Sequence, residues 1–344
     1  MSSSQNRPSK EAAELVRIIQ GFVESQSLYV AADLGIADYL AHGSITAEEL
    51  AKRIGAHPDA LARLLRALVA FGIISCAGED GFGLTATGQL LRSDVPGSLR
   101  TTIRFLAGPW FWQAWGNLSH SVRTAEPAFD HSWGMPVFEY WERHPDLSKI
   151  HDDAMEGLTT LASAAILASY DFSQFRTLVD VGGGNGSFLA AALGRHSHLV
   201  GNLADLPHVV SHADRVLHNA GVADRCKVIS CDFFESVPPG GDAYVLKGVI
   251  HDWDDARATM ILRNCHRAMN PSATLLLLER VLPARPEIEA APEYIADLTM
   301  LVVSPGGRER TQAEFQKLVE SAGFEFTAVK RSGGLLDIVE ARKS

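Results

Sequence analysis

The stretch LVDVGGGNGSFLAAAL, residues 178–193, decides the fold. An apolar, β-branched run closes at Asp180 and Val181, a glycine-rich loop follows, and a helical pattern starts near Ser187. Glycines at such a strand-to-helix turn accept unusual dihedrals and let backbone come close to a ligand. The dinucleotide fingerprint requires a third glycine three residues after the second. Counted from Gly182 and Gly184 that position is Ser187, so the nicotinamide pattern is imperfect. What stands is Asp-x-Gly-x-Gly-x-Gly, Asp180 to Gly186, without the phosphate-gripping lysine of a P-loop.

Downstream of this loop, strand and helix patterns alternate. Strands are expected at 177–181, 200–204, 226–230, 243–250 and 273–281, with helices at 186–195, 209–220 and 254–269 between them. Alternation of this kind predicts an α/β fold with a doubly wound, Rossmann-like parallel sheet. The end of the chain reads differently: a helix at 312–322, then strands at 324–330 and 335–341 joined through Gly333-Gly334, predict an antiparallel hairpin at one sheet edge. Two further strand ends carry acids. Asp205 stands about one βαβ step after the glycine loop, placed to accept hydrogen bonds from ribose hydroxyls. Asp232-Phe233 follows the third strand, with chemistry suited to an adenine amino group and face. An acid-led glycine loop with a ribose acid suits a nucleoside bearing an amino acid, namely S-adenosylmethionine.

Upstream, helical patterns cover residues 11–39, 46–54 and 58–71, the second opening on Thr46 and Glu49 as a capping box and the third on Pro58. A hairpin pattern with a Gly-rich turn follows, giving a winged-helix arrangement in a mainly α-helical N-terminal domain. Between Tyr39 and Arg92 there are five acidic and five basic residues, too balanced for a DNA reader. Residues 12–40 are apolar around much of the helix circumference, which predicts burial by a second copy, a homodimer. A division at residues 11–100 and 101–344 is expected. Five of the six tryptophans, Trp110, Trp112, Trp115, Trp133 and Trp141, fall between Phe105 and Trp141. They suit either an aromatic core between domains or a wall for a flat aromatic ligand, with pocket helices over 101–170.

The whole chain of 344 residues carries a net charge of −10, which argues against a nucleic-acid partner. No secretory signal and no apolar stretch of membrane length is visible, so a cytoplasmic protein without a membrane partner is expected. Cys76, Cys226, Cys231 and Cys265 show no paired metal spacing, and no metal is expected.

The motifs LVDVGGGNGSF, ADLPHVV, CDFFESVP, LKGVIHDWDD, LLLLERVLP and SPGGRERTQAEF occur in that order. In this the chain resembles S-adenosylmethionine-dependent small-molecule O-methyltransferases, the plant caffeic acid and flavonoid enzymes and the bacterial enzymes of aromatic polyketides. The resemblance covers almost the whole chain and implies a class I methyltransferase fold with a winged-helix dimerisation domain. It implies Gly182, Gly184, Asp205, Leu206, Asp232, Phe233 and Lys247 as cofactor contacts, with Thr159 at the methionine end. Two departures, Ser304 where plant members often have Asn and Gly248 where many carry Trp, lie near the expected acceptor pocket and point away from the plant substrates.

The stretch VLKGVIHDWDD, residues 245–255, then takes on meaning. The resemblance implies His251 as general base for a phenolic hydroxyl, with Glu279 and Glu309 positioning the imidazole. The sequence supports this: Glu279 closes the strand after that of His251, and Glu309 follows the Gly306-Gly307 loop. A surface salt bridge to Arg280 is the alternative for Glu279. Trp112, Met155 and Met300 are acceptor-pocket candidates. Asp252 and Asp297 either hold polar substrate groups or serve as helix-start and packing residues. Two other functions compete: a related enzyme that keeps the cofactor but hydroxylates, decarboxylates or rearranges a polyketide, and a cofactor-sensing DNA regulator.

Overall fold

The structure, a computed structural model, describes residues 9–211 and 213–343. Backbone contacts divide the chain into two compact units, one running to Trp112 and taking in Pro145–Gly157, the other comprising Gln113–His144 and the chain from Leu158 onward. This differs from a cut at residue 100, because helices Arg100–Leu106 and Pro109–Gly116 follow the hairpin and the former packs on Lys10–Asp33.

In the first unit, helices Ala47–Ile54 and Pro58–Ala70 pack against a small sheet of Ile45–Thr46, Ile74–Ala77 and Gly81–Leu84 around Leu50, Leu65, Leu68 and Ile74. Thr46 caps the first of these with Oγ1 accepting from the Glu49 N–H at 3.2 Å, while the Glu49 carboxylate turns to Arg53. The single helix expected at 11–39 is interrupted. Lys10–Asp33 ends at Gly35, whose φ of +66° is the left-handed geometry that terminates helices, and Ile36–Leu40 starts anew. Along Lys10–Asp33, Leu15, Val16, Ile18, Ile19, Phe22 and Val23 are all exposed.

The second unit is built on seven strands: β1 Thr177–Val181, β2 Val200–Asp205, β3 Cys226–Ser230, β4 Ala243–Lys247, β5 Thr274–Glu279, β6 Phe324–Lys330 and β7 Asp337–Lys343. Their order across the sheet is β6, β7, β5, β4, β1, β2, β3. The first five pair in parallel, and β7 enters antiparallel between β5 and β6, which is the hairpin edge that Gly333-Gly334 predicted. Runs such as TLLLLE are apolar throughout because both faces are covered. Leu246, Leu275 and Leu277 face helices Asp255–Ala268 and Gln312–Ser321, whereas Val245, Leu276 and Leu278 pack with Phe188, Leu189 and Ile166.

Several boundaries move. β4 stops at Lys247 instead of continuing to 250, because Gly248 takes a φ of +61° and leaves the sheet. β5 ends at Glu279, and the helix expected at 209–220 is two, Pro207–Val210 and Ala213–Asn219. Among the described residues, no helix is long and apolar enough to cross a membrane.

Beneath β4, the buried Tyr244 hydroxyl donates to Pro238 O at 2.8 Å or Ala268 O at 3.2 Å and accepts from Gly241 N. Tyr244→Phe keeps the packing and strands those partners, so it should lower unfolding stability by about 1–2 kcal/mol. A urea-unfolding midpoint equal to that of the unaltered protein would count against that role for the hydroxyl.

Candidate active site

The loops after β1, β2, β3 and β4 converge at the carboxyl ends of the strands, the crevice where open α/β sheets hold ligands. β1 lies between β2 and β4, which is where the strand order reverses. Gly182, Gly184 and Gly186 adopt φ of +68°, +62° and +81°. A side chain at Gly182 would start 2.8 Å from Val249 and 3.4 Å from Phe233, so the glycine is what lets the loops meet. Asp205 ties the first two loops together: its carboxylate accepts from Gly184 N at 2.9 Å and Leu206 N at 2.7 Å. Burial pushes the Asp205 carboxyl up from its ordinary value, and the two backbone bonds oppose this.

Asp232 folds its own loop by accepting from Phe234 N at 2.8 Å, two residues beyond the end of β3. The buried Asn264 donates to Phe233 O and Phe234 O at 2.7 and 2.8 Å and so fixes the half-buried Phe233 ring. Lys247, at the end of β4, donates to Thr159 Oγ1 at 3.1 Å, joining two residues proposed separately from the sequence.

Asp180 was read only as the leader of the glycine motif, yet it is wholly buried and neither carboxylate oxygen has a hydrogen-bond partner among the described residues. Burial drives its pKa to about 7, with Lys247 pulling it down and Asp205 pushing it up. A buried unfilled carboxylate calls for an explanation. The amino acid end of S-adenosylmethionine would supply one, with an ammonium to meet Asp180 and a carboxylate to meet Lys247. Together with Asp205 and Phe233 for the nucleoside, the residues fit this cofactor.

His251 does not sit at the strand end. Four residues beyond β4, it lies in the 3-10 turn Ile250–Asp252. Glu279, last in β5 and wholly buried, holds that turn. Its Oε1 accepts from Val249 N at 3.0 Å and Ile250 N at 2.7 Å, and its Oε2 stands 2.8 Å from His251 Nδ1. The latter contact has the length of a hydrogen bond without its direction, so its attraction is chiefly Coulombic. Glu309 Oε1 lies 3.8 Å from Nδ1, and Asp252 Oδ1 lies 3.7 Å from Nε2. The alternative of a Glu279–Arg280 salt bridge is excluded, because Arg280 turns to Glu309 at 3.9 Å.

Asp297 proves a loop-holder, accepting from Glu309 N at 2.9 Å, and Met300 is half-buried on the same helix, Ala291–Val303. Trp112 and Met155 belong to the other unit, where Trp112 is 43% exposed and stacks obliquely 5.7 Å from Phe22. The tryptophan-rich segment divides likewise: Phe129 packs edge-on against Tyr140 at 5.4 Å within the second unit.

Burial alone would lower the His251 pKa. The carboxylates of Glu279, Asp252 and Glu309 outweigh it and lift the imidazole to about 10. Glu309 is raised to about 7, by burial first and by Glu279 and Asp297, against the pull of His251 and Arg280. The chemistry available is that of a proton-accepting imidazole nitrogen backed by two carboxylates, beside a crevice for a cationic nucleoside.

Residues 115–325 match the O-methyltransferase domain family, and residues 16–94 match the O-methyltransferase dimerisation domain. The chain belongs to the O-methyltransferase family. It is 41% identical over 331 residues to the phenazine O-methyltransferase PhzM of Lysobacter antibioticus, covering 95% of each chain. It is 38% identical over 332 residues to the mitomycin biosynthesis 6-O-methyltransferase of Streptomyces lavendulae, covering 95% of this chain and 93% of that one. The crystal structure of NcsB1, an O-methyltransferase from neocarzinostatin biosynthesis, in complex with S-adenosylmethionine and 2-hydroxy-5-methyl naphthoic acid, superposes with a TM-score of 0.81 at 36% identity. That likeness covers 93% of this chain and 96% of NcsB1. The protein is an S-adenosylmethionine-dependent O-methyltransferase with the class I fold.

For this methyltransferase the Asp180 carboxylate yields a signed prediction. Its folded pKa of about 7 exceeds the ordinary 3.8, so folding favours the protonated acid. The cost is absent below about pH 4 and is fully present above about pH 7, where it amounts to a few kcal/mol, roughly 1.4 for each pH unit of displacement. Asp180→Asn should therefore melt above the unaltered enzyme at pH 8 in the absence of cofactor, with the gap closing toward pH 4. Equal melting temperatures at pH 8 would mean the carboxylate is solvated or paired.

Proposed function

We propose that the enzyme methylates a phenolic hydroxyl of an aromatic, polyketide-type natural product, with His251 as general base and Glu279 and Glu309 as its supporting acids. The observation that carries this is the Nδ1 contact with buried Glu279, which leaves Nε2 as the nitrogen able to accept a proton from an acceptor. S-adenosylmethionine supplies an electrophilic methyl group on a cationic sulfur. The chain's own part is to bind the nucleoside through Asp205, Asp232 and Phe233, to anchor the amino acid end through Asp180, Lys247 and Thr159, and to take the hydroxyl proton. Gly248 presents no side chain next to the imidazole, and a Cβ there would lie 3.5 Å from His251 Cε1. That open side supports a fused-ring acceptor, with Met300 and Asp252 as lining from the same unit. The phenazine relative and the naphthoic acid bound to NcsB1 support an aromatic acceptor.

Magnitudes favour the base. An ordinary imidazole near 6.5 falls about 3.5 pH units short of a phenol near 10, a deficit of about 5 kcal/mol. The neighbouring carboxylates lift the His251 imidazole above its ordinary value, which narrows that gap. The counterpart is that His251 is mostly protonated at neutral pH and must lose that proton to act. The rate should therefore climb with pH above 7, and in His251→Ala a lower rate should climb only as the phenol itself ionises. That variant should bind cofactor as before and methylate about 10²–10⁴-fold more slowly. Glu279→Gln, whose amide oxygen still accepts from Val249 and Ile250, should lose less. Titration calorimetry and a series of phenols of graded acidity measure both. Near-normal turnover in His251→Ala, or a product that has gained oxygen instead of a methyl group, would overturn the reading.

His251, Glu279 and Glu309 also offer ligand atoms within 4.8 Å of one another, as a divalent cation would accept. We read them as proton-handling groups because Glu279 Oε1 already serves two backbone amides and Arg280 leans on Glu309. Turnover should survive EDTA undiminished; loss restored by a divalent metal would reverse this reading.

The dimerisation-domain match and the exposed apolar stripe from Leu15 to Val23 support a homodimer. Light scattering should give twice the chain mass of 37.2 kDa, and Ile19→Asp should shift it toward the monomer. A monomeric mass for the unaltered chain at micromolar concentration would refute the assembly.

A further inference from the structure

Among the described residues, the largest fully buried side chain is a charged one, Arg310, 1% exposed. An arginine normally leaves its guanidinium in water, and a buried one needs every donor filled. Here all five are. Nε donates to Asp255 Oδ1 at 3.0 Å, and Nη2 donates to the same oxygen and to Trp253 O, each at 2.8 Å. Nη1 donates to Ile250 O at 3.0 Å and Arg308 O at 3.4 Å.

Two of these acceptors matter for the chemistry. Ile250 and Trp253 bracket His251 and Asp252, so one rigid planar group closes the 3-10 turn from its carbonyl side. Glu279 closes the same turn from its amide side through Val249 N and Ile250 N. The Arg310 backbone pairs in parallel with Val281, two residues past Glu279, and its preceding neighbour is Glu309. The His251 carbonyl is itself held by Arg308 N at 2.8 Å. The guanidinium therefore holds the turn that carries the imidazole and the residue before Glu309, and the Arg310 main chain runs beside the strand that follows Glu279.

We propose that Arg310 is the positioning residue of the active site, fixing the distances from His251 to Glu279 and Glu309 and so the basicity of the imidazole. This rests on the reading of His251 as the base. Lysine cannot substitute, because a single ammonium has three donors and no planar fork to span two carbonyls and a carboxylate.

The test uses Arg310→Lys, Arg310→Ala with and without added guanidinium, and Asp255→Ala, whose side chain is two-thirds exposed and removes two of the five contacts. Cofactor affinity and acceptor KM should stay within about threefold, while kcat falls about 10–100-fold for the Arg310 variants, the order expected when reacting groups shift by about 1 Å. The pH limb assigned to His251 should move to lower pH, because carboxylates that stand further off raise the imidazole less. Guanidinium should restore part of kcat to Arg310→Ala, and Asp255→Ala should show a smaller fall with the limb displaced the same way. If neither Arg310 variant folds, Asp255→Ala decides alone. A wild-type kcat with an unmoved limb, in a folded Arg310 variant or otherwise in Asp255→Ala, overturns the proposal while leaving His251→Ala as the separate test of the base. A fall in kcat without displacement of the limb also overturns it, since simple loss of structure has that signature.

Discussion

A carboxylate sealed from water must find partners for its oxygens, and Glu279 finds them in a way that builds the site. One oxygen takes the amides of Val249 and Ile250, and the other faces the His251 imidazole at 2.8 Å. The parallel register of β4 and β5, Lys247 against Leu278, is what delivers Glu279 to the start of the turn carrying His251. Removing one member of such a buried set leaves the other uncompensated, which typically costs about 3–5 kcal/mol. Sheet register, turn geometry and imidazole charge are thus one constraint, not three.

That constraint also explains the uneven legibility of the sequence. The glycine loop, Asp205 and Asp232-Phe233 could be read because each is local: strand end, turn and helix start lie within a dozen residues. His251 was displaced in the reading because Val249 and Ile250 continue an apolar run, whereas Gly248 has already turned the chain out of the sheet. The apolar pattern reports burial, and both residues are buried without being strand. Arg310 could not be read at all. An arginine in the charged run RER suggests a solvated charge, and only the fold brings the carbonyls of residues 250, 253 and 308 around it. Asp297 is open in the sequence between substrate and packing, and in the fold one of its oxygens takes the Glu309 amide.

The same comparison separates residues that meet ligand from residues that hold those residues. Asn264 holds the Phe233 loop, Asp297 holds Glu309, and Arg310 holds the His251 turn. Each acts on backbone carbonyls or amides, groups that every residue type presents. Motif reading sees side-chain chemistry and is blind to such partners.

The crevice has a charge problem that its cofactor resolves. Asp180, Asp205 and Glu279 are gathered at the ends of β1, β2 and β5, with Glu309 beside them, against Lys247, His251 and Arg280 as nearby cations. Burial raises the pKa of Asp180, Asp205 and Glu309 alike, which means that the folded protein resists holding their charges. A ligand that is itself cationic relieves that resistance in proportion to how far the acids were displaced. The free energy lost from the empty fold reappears as affinity for the loaded one, because whatever binds only the folded state stabilises it. An uncharged analogue of the cofactor, matched in shape, would fill the crevice without that relief. The ammonium that Asp180 would meet is common to the methyl donor and its demethylated product, so the burial of Asp180 favours both over the ligand-free fold.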